Sequence, residues 1–186
     1  MVKEIKITTK NAEQQVENWL RSIVIGLNLC PFANAEYRKN SIRFKASAAA
    51  VIEEVVRDLI VELSLLNKSD DIETSLLILP NCLSDFSDFN DFMGFADELL
   101  QEMNFEGIFQ FASFHPDYQF AGTQQDDAEN YTNRSPFPIV HILRESSLDR
   151  AVEQHPDTSK IPQDNIDLMN KLGSKHMISL LAECEI

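Results

Sequence analysis

Glycine is scarce, with five residues in a chain of 186. A cradle of backbone amides for nucleotide phosphates needs glycines close together, and neither a G-x-G-x-x-G nor a G-x-x-x-x-G-K-[ST] run occurs. No nucleotide cofactor is therefore expected, flavin and nicotinamide bound in the Rossmann manner included. Also missing are G-x-S-x-G, H-E-x-x-H and C-x-x-C. Cysteine is equally thin. Cys30, Cys82 and Cys184 are odd in number and far apart, which speaks against a disulfide framework and for a reducing cytoplasm. No apolar run approaches the roughly 20 residues that span a bilayer, and Met1 to Lys6 lack the apolar stretch of a secretory signal.

Positive charge is the largest deficit. Lys plus Arg number 16 against 30 Asp plus Glu, a net charge of −14. From Ser69 to Asn133 there is no Lys or Arg, while 14 carboxylates fall between Asp70 and Glu129. Such a block repels nucleic-acid phosphate and anionic membrane surfaces, so neither is expected as a partner. A solvated acidic face accounts for it; attraction of a cationic partner or of metal ions is the alternative.

What is present reads as one globular domain over residues 1–186. Thr8, Thr9 or Asn11 caps a helix to about Leu29, with Val16, Trp19, Leu20, Ile23 and Leu27 on one face. Ile42 to Ala46 alternates as a half-buried strand, and Ser47 caps a helix through about Leu66. Leu76 to Pro80 reads as an interior strand, followed by a helix from Ser84 or Ser87 to Met103. Phe86, Phe89, Phe92, Phe95 and Leu99 form a stripe along it that suits core packing better than a cofactor wall. Further strands follow at Ile108–Phe114 and Ile139–Arg144. Ser146 or Ser147 then caps a short helix, and two helical pieces flank Gly173. The order β-α-β-α-β-loop-β predicts an α+β sandwich with a four-stranded mixed sheet. The first three strands should be parallel neighbours, with the fourth antiparallel beside the third. A small doubly wound α/β domain is the runner-up.

Residues 115–138 form a 24-residue connection without periodicity. Structureless connections longer than about 12–15 residues inside a domain are usually functional or disordered. Tyr118, Phe120, Tyr131 and Phe137, with three prolines, favour an ordered site loop. The segments Trp19-Leu20, Val24-Ile25-Gly26-Leu27-Asn28-Leu29-Cys30-Pro31-Phe32-Ala33 and Ala112-Ser113-Phe114-His115-Pro116-Asp117-Tyr118-Gln119-Phe120 carry a resemblance. With Asn130-Tyr131-Thr132-Asn133-Arg134-Ser135-Pro136 and His141-Ile142-Leu143-Arg144-Glu145, they make the chain resemble the bacterial family known as domain of unknown function 1415. The resemblance covers about Trp19 to Gly173 and implies no activity, ligand or catalytic residue. Chemistry must come from the side chains.

His115, at the carboxyl end of a strand, is placed for proton transfer or metal binding, with a structural role as the alternative. Asp127 or Asp117 would orient its imidazole. Arg134, the first cation after the acidic block, offers a planar fork for an anion, with Asn133 and Ser135 as further donors; Arg144 and Arg150 are weaker candidates, with Glu145 and Asp149 as local partners. An internal salt bridge from Arg134 to Asp126, Asp127 or Glu129 is the alternative. His141 shares a strand face with Ile139 and Leu143 and reads as a buried neutral imidazole if that face is core. His155 and His176 read as surface residues, and Cys30 as a small buried residue.

Three readings follow. First is a small enzyme acting on an anionic metabolite through His115 and Arg134. Second is a zinc-like centre from His115, His141, Cys30 and Asp126, a divalent metal being the possible cofactor. Third is a non-catalytic module whose acidic block contacts a basic partner. All depend on whether these residues meet in space.

Overall fold

The structure is a computed structural model, and it describes residues 8–154 and 157–186. Helix α1 (Thr9–Trp19) opens with the Thr8 hydroxyl accepting from the Asn11 amide. It continues into a π-helical stretch, Leu20–Ile25, then a short helix α2 (Ala33–Arg38), strand β1 (Ile42–Ala46) and helix α3 (Ile52–Lys68). Strand β2 (Thr74–Ile78), helix α4 (Phe86–Glu102), strand β3 (Phe109–Phe114) and strand β4 (Ile139–Arg144) follow. Helices α5 (Glu145–Gln154), α6 (Ile161–Leu172) and α7 (Ser174–Ala182) complete the chain. No helix among the described residues is long and apolar enough to cross a membrane.

The fold is α+β around a four-stranded mixed sheet, but its strand order departs from expectation. The order is β1-β2-β4-β3: β1 and β2 are parallel, and β4 lies antiparallel between β2 and β3. The third strand runs in the predicted direction yet does not touch the second. Burial explains the insertion. Ile139, Val140 and Ile142 of β4, like Leu77 and Ile78 of β2, are fully buried, so both strands need cover on two faces. Strands β1, with Arg43 and Lys45, and β3, with exposed Gln110, can sit at the edges. An antiparallel strand through the middle also sets the sheet apart from a doubly wound parallel one.

Helices cover both faces. Against one lie Val55, Leu59, Leu63 and Leu66 of α3 with Phe89, Phe92 and Ala96 of α4, packed on Leu77, Val140 and Ile142. Against the other lie Val16, Trp19 and Ile23 with Met169 of α6 and Met177 of α7, packed on Leu76, Ile78 and Ile139. Each such leucine stabilises by about 1.5–3 kcal/mol relative to exposure. One buried charge interrupts the first core. Glu62 of α3 is 1 % exposed and accepts from Arg43 Nε and Nη2 at 2.8 and 3.1 Å and from Ser75 Oγ at 2.8 Å, so every carboxylate oxygen has a partner.

Three local expectations need correction. Ser146 and Ser147 lie inside α5, which begins at Glu145, and do not cap it. Ser47 does not cap α3. Its hydroxyl accepts from the Ala49 amide and donates to Asp58, because the chain runs on from β1 to Val51 before turning into the helix. The Phe stripe does not lie on one face either. A step of three residues falls about 60° short of a full turn, so the stripe walks round α4. Phe89 and Phe92 point inward, Ala96 takes the next inward place, and Phe95 is left 46 % exposed.

Candidate ligand pocket

The open part of the sheet face beside α1 is a cavity of about 470 Å³. Strand alternation builds its floor. Thr74 and Leu76 of β2, His141 and Leu143 of β4, and Ala112 of β3 point to this side. Register sets His141 directly opposite Leu76 on one flank and Ala112 on the other, and the short Ala112 side chain leaves space above the ring. Trp19, Leu20 and Val24 form one wall, Cys30 to Ala33 with Ala35, Glu36 and Lys39 a second, and Ser147, Leu148, Arg150 and Ala151 of α5 a third.

The first wall is shaped by the π-helical stretch. Gly26 donates to the Arg21 carbonyl five residues back, and a Cβ at Gly26 would collide with the Ser22 carbonyl oxygen. Glycine is required there, and the widened turn presents Leu20 and Val24 to the cavity.

His141 is the polar centre of the floor. Its Nε2 lies 2.7 Å from Thr74 Oγ1, which lies 2.6 Å from the Ile142 carbonyl oxygen. A carbonyl can only accept, so the Thr74 hydroxyl donates to Ile142 and receives its own hydrogen from His141 Nε2–H. The tautomer is thereby set, and Nδ1 is a lone pair with no protein partner among the described residues. Burial pushes the imidazole pKa down to about 4, so the ring is neutral at physiological pH. Phe114 flanks it with ring centroids 6.0 Å apart.

The rim carries charge. Glu36 accepts from Lys39 Nζ and Ser41 Oγ, each at 2.7 Å. Partial burial raises the Glu36 pKa, but these two hydrogen bonds and the charges of Lys39 and Arg150 outweigh it, and the net shift is downward. Glu73 accepts from Arg150 Nη2 at 2.8 Å and from Ser147. Arg144 reaches the rim, but its guanidinium donates to the carbonyls of Leu66, Ser69 and Ile72 and closes the C-terminal end of α3.

The residues singled out in the 115–138 loop lie elsewhere. His115 is fully enclosed on the opposite face of the sheet, against Phe86 and Phe89. Its Nδ1 accepts from the Asp117 amide at 3.0 Å, so Nε2 carries the hydrogen, donated to the Leu83 carbonyl at 3.1 Å. Burial lowers its pKa, and both nitrogens are engaged by backbone. Asp117 is exposed, and Asp127 Oδ2 accepts from the Gln124 amide at 2.7 Å. Neither carboxylate holds the His115 ring.

Arg134 is buried and forms no ion pair among the described residues. Nε and Nη2 donate to the Tyr118 and Gln125 carbonyls at 3.2 and 2.7 Å, and the guanidinium lies 4.4 Å from the Tyr131 ring centroid. Asn133 donates to the Ser113 carbonyl and Ser135 to the Phe137 carbonyl. A short 3-10 turn at Ala128–Thr132 lies within the loop, and enclosed Asn130 serves four loop groups: the Phe120 amide, the Thr123 hydroxyl and the carbonyls of Gln124 and Gln125. These polar groups hold the loop together; none lines the cavity.

Convergence is thus partial. Cys30 and His141 line the same cavity, His115 lies across the sheet from them, and Asp126 is exposed in the loop. Among the described residues no three His, Cys, Asp or Glu side chains gather closely enough to hold a metal, so the four-ligand zinc-like centre has no geometry behind it. His176 is exposed as expected, and His155 lies outside the described residues. Sequence reasoning missed Thr74, Glu36, Lys39 and Glu73, while Arg150, a weaker candidate beside Arg144, does line the cavity. Thr74 could have been found as one of two polar residues, with Ser75, at the head of a strand that is apolar beyond them. Glu36 and Lys39 are only three residues apart, but Glu73 and Arg150 pair across 77 residues, too distant in sequence to be seen.

A family model matches residues 11–179, that of a protein of unknown function (DUF1415). No curated protein and no solved structure matches the chain.

Proposed function

The chain belongs to the DUF1415 family, to which no activity is attached, and from the geometry we propose that it binds a small, largely apolar anion in the cavity above His141. One observation carries this reading. The floor of a cavity with largely apolar walls presents a single neutral imidazole, oriented by Thr74, whose Nδ1 has no partner among the described residues. Apolar walls with few directed polar groups are the usual make-up of a small-molecule site. A ligand N–H or O–H would donate to Nδ1 while the apolar body rests on Trp19, Leu76 and Phe114.

Charge supports the anionic part. Lys39, Arg144 and Arg150 outnumber Glu36 and Glu73 around the cavity, on a chain whose net charge is −14. The Lys39 and Arg150 side chains are 65 % and 59 % exposed, so their ion pairs are weak and exchange readily with a ligand carboxylate or phosphate. The chemistry available is proton acceptance at Nδ1, since a bound anion would stabilise the imidazolium that burial alone disfavours.

Trp19 is the only tryptophan and lines the cavity, so its fluorescence reports occupancy. Titration with short-chain aliphatic carboxylates and phosphate monoesters should give a saturable change, weakened about tenfold in His141→Gln. A flat response to both series, or equal affinity in His141→Gln, would remove the proposal.

A further inference from the structure

The outer side of the α3–α4 layer carries a second concavity, and from it we infer that this protein docks a basic amphipathic helix of a protein partner. The groove runs between the N-terminal parts of α3 and α4, floored by Val56 and Phe92 and edged by Ile52 and Phe95. Ile52 and Phe95 are 48 % and 46 % exposed, and Val51 beside them is 50 % exposed. Two of the large hydrophobic side chains left in solvent therefore share one groove, with Val51 next to Ile52 in the chain, whereas scattered single ones would need no explanation.

The groove also has a sign. Its remaining lining residues are Glu53, Asp88 and Asp91, all exposed. Helix α4 contains no Lys or Arg, and the nearby cation of α3, Arg57, is 70 % exposed and leans on Glu54 at 3.7 Å.

Charge selects the occupant. A second copy docked about a two-fold axis would set Glu53, Asp88 and Asp91 against themselves. Nucleic acid and anionic membrane carry the same sign as the rim. A helix with an apolar ridge at i, i+3, i+4 and i+7, flanked by Lys or Arg, satisfies both floor and rim. The inference is independent of the cavity above His141, which lies on the other side of the sheet.

The test is fluorescence anisotropy of the full chain with a labelled helical peptide of about 18 residues, leucine on that ridge and lysine elsewhere. One saturable site is expected, weaker at high salt. Phe95→Ser, which leaves the charge unchanged, should weaken binding at least tenfold, as should Asp88→Lys with Asp91→Lys. Asp70→Lys with Asp71→Lys makes the same charge change at the far end of α3, about 25 Å away, and should change affinity less than twofold. Backbone amide shifts on the wild-type chain should cluster at residues 51–57 and 88–95, whether or not a variant folds. No binding, equal loss in both lysine pairs, or shifts spread over the acidic surface would overturn the inference. So would a self-associated wild-type chain that Phe95→Ser turns into a monomer.

Discussion

Thr74 and His141 come from the two central strands, and the hydroxyl of one receives the Nε2 hydrogen of the other at 2.7 Å. That single contact decides which nitrogen carries the hydrogen and leaves Nδ1 as the acceptor. Replacing Thr74 with valine keeps the shape and leaves a buried N–H without an acceptor, at a cost of about 1–3 kcal/mol. Urea unfolding should show that loss for Thr74→Val and little for Thr74→Ser. The valine variant should also bind cavity ligands more weakly, because the ring is free to turn. Equal stability of both variants would mean the hydrogen bond contributes nothing.

Acid should weaken the fold through the same ring. The His141 pKa is about 4 when folded against roughly 6.5 unfolded, so between these values the unfolded chain binds more protons. The contribution is complete above about pH 6.5 and is lost progressively as pH falls toward 4, by up to roughly 3 kcal/mol. His115, whose pKa burial also lowers, acts in the same direction. Urea midpoints measured from about pH 7.5 to 4.5 should fall less steeply in His141→Gln than in the natural chain. Parallel slopes would place the pH dependence elsewhere.

Arg43→Leu should be among the most damaging single changes outside the apolar core. It strands the Glu62 carboxylate, 1 % exposed, with Ser75 as its remaining partner, and an uncompensated buried charge costs about 3–5 kcal/mol. Adding Glu62→Leu should restore much of the loss. A thermal or urea series across the two single variants and the double variant measures the coupling. Additive losses would show that the pair is not acting as one unit.

The long loop should behave as a folded element. Asn130→Ala removes a fully enclosed amide that binds Phe120, Thr123, Gln124 and Gln125, for an expected loss of about 2–4 kcal/mol. Amide exchange in residues 118–127 should accelerate in the variant while the sheet stays protected. His115→Ala should likewise lower stability, through the lost Leu83 and Asp117 contacts. Unchanged stability in both would return the loop to consideration as a reactive site.

Elements were legible in the sequence where the signal is local. Ile139–Arg144 was readable to the residue because β-branched runs and turn residues sit beside each other in the chain. Val55, Leu59 and Leu63 reveal the buried face of α3 by spacing alone. The opposite faces of His115 and His141 were not readable. They follow from which strands pair and from a carbonyl 32 residues away from His115 in sequence. Arg134 read as an anion anchor because its side chain is a good one; only the folded loop shows that its donors meet carbonyl oxygens.

Periodicity, caps and charge balance by themselves set an α+β chain with an acidic middle, since each depends on neighbours a few residues apart. Tertiary structure decided that β4 enters the centre of the sheet, because only there are both of its apolar faces covered. That choice lays His141 beside Thr74, raises the cavity over Ala112 and carries His115 to the far side. Side chains separated by about 70 residues meet through strand pairing, a long-range contact that no short window of sequence contains.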